Sequence, residues 1–170
     1  LGIEKNLFQA NTIFDDERKL YTDFNGNSYL PRNADLGFWG KMTLAEALAN
    51  SRNIPAVTAV SKISVGEFLQ FLHLAGFDHL KATPNFYGPG LSLGSGGASL
   101  FQLARAYGTF ITGGVLPIVE LGKNQKKSIT FGTKQRLFSP EVAEEIKYIL
   151  SDRNLRSKAF GKRSYLDFPY

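Results

Sequence analysis

Gly40-Lys41-Met42-Thr43-Leu44-Ala45-Glu46-Ala47-Leu48-Ala49-Asn50-Ser51-Arg52-Asn53-Ile54-Pro55-Ala56-Val57 encodes a capped helix, a break and the start of a second helix. Thr43 and Glu46 have capping-box spacing: the Thr hydroxyl accepts from the Glu backbone N–H, and the Glu carboxylate reaches back. Leu44, Ala47 and Leu48 then share one face. Asn50 to Asn53 interrupt that helix. Pro55 lacks an N–H and disfavours helical dihedrals at Ile54, so a new helix is expected from Pro55.

Upstream, residues 12–38 mix Asp, Asn, Gly and Pro with isolated aromatics and predict short strands and loops. Downstream, Ser64-Val65-Gly66-Glu67 repeats the capping spacing and opens a helix with Val65, Phe68, Leu69 and Leu72 inward, ending at Gly76. A Gly/Pro/Ser-rich loop, residues 88–97, precedes a third helix. Its Leu100, Leu103, Ala104, Tyr107 and Ile111 are expected to be buried, and Gly113-Gly114 to end it. Pro117–Leu121 and Ser128–Phe131 read as two strands around a basic turn. Ser139-Pro140-Glu141 opens a last helix with Val142, Ile146, Ile149 and Leu150 on its apolar face. The fold class is α+β, mostly helical, within one domain over residues 1–170 and with its helical region at 40–151.

Composition narrows the function. The chain has 170 residues, 43% hydrophobic and 21% charged, which excludes disordered and collagen-like classes. No apolar run approaches a bilayer span. Zero cysteines exclude disulfides, thiolate zinc sites and cysteine nucleophiles. His73 and His79 cannot build a metal site without several carboxylates, and no cofactor is expected. The net charge of +5 comes from residues 121–170, with eleven basic and five acidic groups. Those cations scatter through 123–127 and 154–158, both loop-like, so a solvated surface is expected and no nucleic-acid partner.

Gly90-Leu91-Ser92-Leu93-Gly94 matches the nucleophile elbow of α/β-hydrolases in letters, but no histidine follows position 79 and no strand precedes it. Gly94-Ser95-Gly96-Gly97 has neither a Walker lysine nor dinucleotide spacing. Ser51-Arg52-Asn53 presents a hydroxyl and an amide at a helix break; taken alone, the triplet reads as two capping residues.

The surrounding text gives that triplet meaning. Leu30-Pro31-Arg32-Asn33, the stretch from Gly40 to Val57, Leu91-Ser92-Leu93-Gly94, Leu103 to Phe110, Phe138-Ser139-Pro140-Glu141 and Tyr165 to Pro169 resemble, in order, the transpeptidase domain of class A penicillin-binding proteins. The resemblance is strongest to their 1C branch. It implies the helical part of the penicillin-binding protein and serine β-lactamase fold, with a few short strands. It also implies a serine acyltransferase whose Ser-x-x-Lys, Ser-x-Asn and Lys-Thr-Gly motifs meet in one cleft. By position, Ser51 matches the proton relay, Asn53 the group that holds the substrate amide, and Arg52 the free middle residue.

No serine here is followed by lysine at the third position, and no Lys-Thr-Gly occurs. The resemblance places those motifs just upstream of Leu1 and just downstream of Tyr170, so the chain reads as an excerpt. A peptidoglycan D,D-transpeptidase is expected of the parent, with stem peptides and β-lactams as partners. Its expected place is the bacterial cell envelope, on the outer face of the cytoplasmic membrane, through an anchor outside these residues. The 170 residues alone are expected to be inactive, to expose apolar surface and to self-associate. The alternative is a degenerate homologue that binds peptidoglycan or a partner protein without turnover.

Overall fold

The computed structural model describes residues 1–22, 28–121, 129–132 and 134–163. Four strands open the order: β1 (Ile13–Asp16), β2 (Tyr21–Thr22), β3 (Ser28–Tyr29) and β4 (Gly40–Thr43). Helices α1 (Leu44–Ala49), α2 (Asn53–Ile63), α3 (Val65–Leu74) and α4 (Pro84–Tyr87) follow, then a 3-10 turn (Pro89–Leu93) and α5 (Leu100–Ile111). Strands β5 (Val115–Leu116), β6 (Val119–Leu121), β7 (Ile129–Phe131) and β8 (Gln135–Arg136) lead into α6 (Pro140–Ser151) and α7 (Arg153–Phe160). The strands form two-stranded antiparallel ribbons, β1 with β4, β2 with β3, β5 with β8 and β6 with β7. The architecture is the expected helix-dominated α+β.

The β1–β4 register sets Phe14 opposite Met42, and both are buried. Strand β1 packs against α2, whose Ile54 and Val57 are fully enclosed. Each such aliphatic side chain contributes about 1.5–3 kcal/mol of hydrophobic stabilisation. A second cluster joins Leu69 of α3 to Ala75, Phe77, Leu80 and Leu91, with Val65, Phe68 and Leu72 packed against it. The α3 stripe therefore faces inward as its spacing requires. Gly76, at φ +95°, follows the helix in the left-handed region.

Three local expectations change. Helix α2 begins at Asn53, two residues before Pro55. Pro55 sits in the first turn, where its missing N–H would have had no intrahelical partner. The 154–158 segment is helical: Asp152 Oδ1 accepts from the backbone N–H of Asn154 (2.7 Å) and Leu155 (3.1 Å) and caps α7. The α5 stripe is the larger correction. Leu100 and Ile111 are 83% exposed, Tyr107 62% and Leu103 41%, and Ala104 is exposed too. The helix instead buries Thr109 and ties its other side down through Gln102 Nε2 to Gly76 O (2.9 Å) and Arg105 Nε to Pro117 O (2.8 Å). Periodicity identifies a face suited to burial; among the described residues nothing covers this one.

Strands β6 and β7 pair as foreseen, though β6 starts at Val119 and β7 at Ile129. Their connecting turn, with Ser128 and the 123–127 cations, and the Tyr165–Pro169 segment lie outside the described residues.

Candidate active site

Helix α1 ends in a Schellman motif. Ser51 N–H donates to Leu48 O (3.1 Å) and Arg52 N–H to Ala47 O (2.9 Å), and Ser51 itself sits at φ +55°. That position normally takes glycine, because a Cβ crowds the carbonyl in the left-handed region. A serine there carries roughly 1 kcal/mol of conformational strain. The Ser51 side chain is exposed, and no hydrogen bond engages it among the described residues.

Both neighbours of Ser51 are fastened. Asn50 is buried and bridges two helices: its amide donates to Glu46 O (2.9 Å) and Leu155 O (2.7 Å), and its carbonyl accepts from Ala159 N–H (3.0 Å). Arg52, expected to be a free middle residue, is 5% exposed. Its Nε donates to Asp16 Oδ2 (2.9 Å), Nη1 to Asp35 Oδ2 (2.8 Å) and Nη2 to Gly37 O (2.8 Å), and Nη2 also lies 2.8 Å from Asp16 Oδ2 as an ion pair. The guanidinium lies 4.0 Å from the Trp39 ring centroid, and Lys158 Nζ lies 3.9 Å from the same centroid.

Asp16 is fully enclosed and takes further bonds from Trp39 N–H (3.0 Å) and Asn33 Nδ2 (2.7 Å). The Arg52 hydrogen bond holds the Asp35 carboxyl below its ordinary pKa against an opposing desolvation effect, with further help from the Gly37 N–H. Asn33 completes the network, its Oδ1 accepting from Asn53 N–H (2.9 Å). Asn53 in turn gives its side-chain N–H to Arg32 O (2.7 Å), which leaves its carbonyl oxygen as the group with capacity to accept.

Ser51 and Asn53 line one groove of about 660 Å³, together with Ser92, Leu93, Tyr107 and Leu150. The structure thus brings the two predicted site residues to a common surface. Ser92 lies in the 3-10 turn and donates to Pro89 O (2.9 Å), without the strand–turn–helix context of an elbow. His79 has both ring nitrogens engaged, with Gly97 O and Gln102 Nε2, and His73 Nε2 meets Leu80 O (2.8 Å). Among the described residues no group of three or more His, Cys, Asp or Glu side chains could hold a metal, and no helix is long and apolar enough to cross a membrane.

Sequence reasoning missed Asp16, Asn33, Asp35 and Arg52. A signal existed for Asp16. Strand alternation places it on the face of Phe14, and an inward carboxylate requires a partner.

The chain matches the family model described as penicillin binding protein transpeptidase domain over residues 1–165. It is 29% identical over 182 residues to penicillin-binding protein 1A of Streptococcus pneumoniae, covering 97% of this chain and 24% of that protein. It is 31% identical over 117 residues to penicillin-binding protein 1F of Bacillus subtilis, covering 66% of this chain and 15% of that protein. Among solved structures it resembles the transpeptidase domain of penicillin-binding protein 3 from Burkholderia pseudomallei, with TM-score 0.64 at 21% identity over 88% of this chain and 48% of that one. Penicillin-binding protein 1A from Haemophilus influenzae gives TM-score 0.61 at 20% identity, over 95% and 28%. The chain spans about a quarter or less of the length of these curated relatives.

Proposed function

This chain belongs to the penicillin-binding protein transpeptidase family, and on that premise we propose that it supplies the middle part of a peptidoglycan D,D-transpeptidase cleft. Ser51 is the proton relay and Asn53 holds the substrate amide. The observation that carries this reading is the exposed Ser51 hydroxyl, held in a strained left-handed turn at the lip of a groove it shares with Asn53. Asn6, Leu36 and Ser64 are also non-glycine residues at positive φ, but of the four only Ser51 lines the groove beside Asn53, and strain placed there points from geometry to function.

Acyl transfer from a D-Ala-D-Ala stem peptide breaks an amide bond, and the departing nitrogen must receive a proton. A hydroxyl can pass one on by donating and accepting at once. The Asn53 carbonyl oxygen is suited to accept from a substrate N–H. The nucleophile, its lysine and the carboxylate-binding strand come from residues beyond these 170, so the chain alone forms no acyl-enzyme. The proposed chemistry draws on side chains and needs no cofactor. The parent works in the bacterial cell envelope, at the outer face of the cytoplasmic membrane.

Exposure to a fluorescent penicillin, read by intact mass, tests this on two proteins: the 170-residue chain and the longer native chain that contains it. A covalent adduct on the longer chain alone, slowed about 100-fold or more by Ser51→Ala, is the expected result. An adduct on the 170 residues themselves would place a nucleophile within them. No adduct on either protein would favour the non-catalytic reading, a module that binds peptidoglycan or a partner protein.

A further inference from the structure

We propose that Arg52 is a positioning residue for the transpeptidase reaction, acting through its ion pairs with Asp16 and Asp35 to hold the Ser51 hydroxyl and the Asn53 amide at the groove. The inference rests on the reading of Ser51 as relay and goes beyond it. It assigns a task to a side chain that touches no substrate.

The left-handed conformation of Ser51 is unfavourable on its own and persists only where its surroundings over-determine it. Here the restraint is visible on each side. Asn50 anchors the preceding residue to α7, and the guanidinium of Arg52 anchors the following one to β1 and to the loop before β4. Arg52 is 36 residues from Asp16 and 17 from Asp35 in sequence, so the clamp joins separate segments. The fork geometry matters. Three hydrogen bonds and one further ion-pair contact reach two carboxylates and the Gly37 carbonyl at 2.8–2.9 Å, and the planar group also lies against Trp39. A lysine would keep the charge but could not make that set of bonds.

The same network reaches Asn53. Asn33 Nδ2 donates to Asp16 and to Gly37 O (2.8 Å), both partners of Arg52, while Asn33 Oδ1 receives the Asn53 N–H. One buried carboxylate therefore sets the register of both groove residues. A misplacement near 1 Å at a relay costs on the order of 100-fold in rate, which gives the clamp a kinetic consequence apart from its contribution to folding.

The test uses the full-length native chain and saturation kinetics of acylation by a fluorescent penicillin, which separate the limiting acylation rate from the non-covalent Kd. Arg52→Lys is expected to lower the limiting rate about 10–100-fold through Ser51 and to raise Kd through the displaced Asn53 amide. In a Ser51→Ala background the limiting-rate loss from Arg52→Lys should shrink to less than about twofold, because that loss acts through the relay, while the Kd shift that acts through Asn53 persists. Equal losses in both backgrounds, or a wild-type rate in Arg52→Lys, would overturn the proposal. Should Arg52→Lys fail to fold, Asp35→Asn removes the half-exposed arm alone. It is expected to slow acylation about 3–10-fold with the same dependence on Ser51, and a wild-type rate there overturns the proposal. If Ser51→Ala itself acylates normally, the relay reading falls and the clamp's kinetic role falls with it. If only the Arg52 and Asp35 variants are normal, the clamp alone is wrong.

Discussion

Ser51 and Arg52 pull stability in opposite directions. Ser51 occupies a glycine position, so Ser51→Gly should raise the stability of the chain by about 0.5–1 kcal/mol, or roughly 2–4 °C in Tm. The same change removes the hydroxyl and should abolish rapid acylation in the longer chain. Urea unfolding and penicillin labelling of the two forms check both halves. Arg52→Ala should act the other way. It strands the enclosed Asp16 carboxylate and is expected to cost about 3–5 kcal/mol by urea midpoint. Glu144→Ala, which breaks an exposed ion pair to Lys147 on α6, should cost less than about 0.5 kcal/mol. The difference comes from burial, since both pairs are close in distance. Of these residues, Ser51 was legible from its motif. Arg52 was not, because nothing in a triplet says that its middle side chain turns inward.

Among the elements, the caps were the most legible feature. Thr43 with Glu46 forms the complete capping box that its spacing predicts, and Ser139 caps α6 with Pro140 in its first turn, while the complete box of Ser99 with Gln102 was not foreseen. Ser64 accepts from Glu67 N–H, but the Glu67 carboxylate pairs with Lys5 and leaves that box half made. A capping motif spans four residues, so local chemistry decides it unless a distant charge competes. Helix α7 was missed because its N-cap, Asp152, sits directly behind α6 and its cations resemble a loop. The Leu155 and Asn154 N–H groups lower the Asp152 pKa. A depressed folded-state pKa means that the stabilisation is present above the unfolded value, near 3.9, and is lost as pH falls through the folded value. Stability should therefore drop with acid below about pH 4. Asp152→Asn, which still caps but cannot titrate, should flatten part of that drop in denaturant midpoints measured across pH 2–6.

At the scale of the whole molecule, the outstanding feature is apolar surface left open along α5. Leu100 and Ile111 are each 83% exposed, and Tyr107 faces the groove beside Ser51 and Leu150. Apolar surface of this kind favours association. The 170-residue chain is expected to sediment as a concentration-dependent mixture, and Leu100→Lys with Ile111→Lys should shift it towards monomer. Because neither side chain is packed, that double variant should change unfolding free energy by less than about 0.5 kcal/mol per site. A monomer at all concentrations before mutation would contradict this expectation.

Sequence alone determined helices α1, α2, α3, α5 and α6 in their order, most of their caps, the helix-dominated α+β class and the placement of Ser51 and Asn53 at a helix break. Those features follow from interactions spanning three or four residues, or from a motif whose letters stand together. Tertiary structure alone decided that Ser51 is left-handed, that Arg52 is buried against Asp16 and Asp35, and that the apolar face of α5 stays open. Each depends on which distant segment arrives beside it. A side chain's partner at a separation of 36 residues is set by packing of the whole chain, which local periodicity cannot encode.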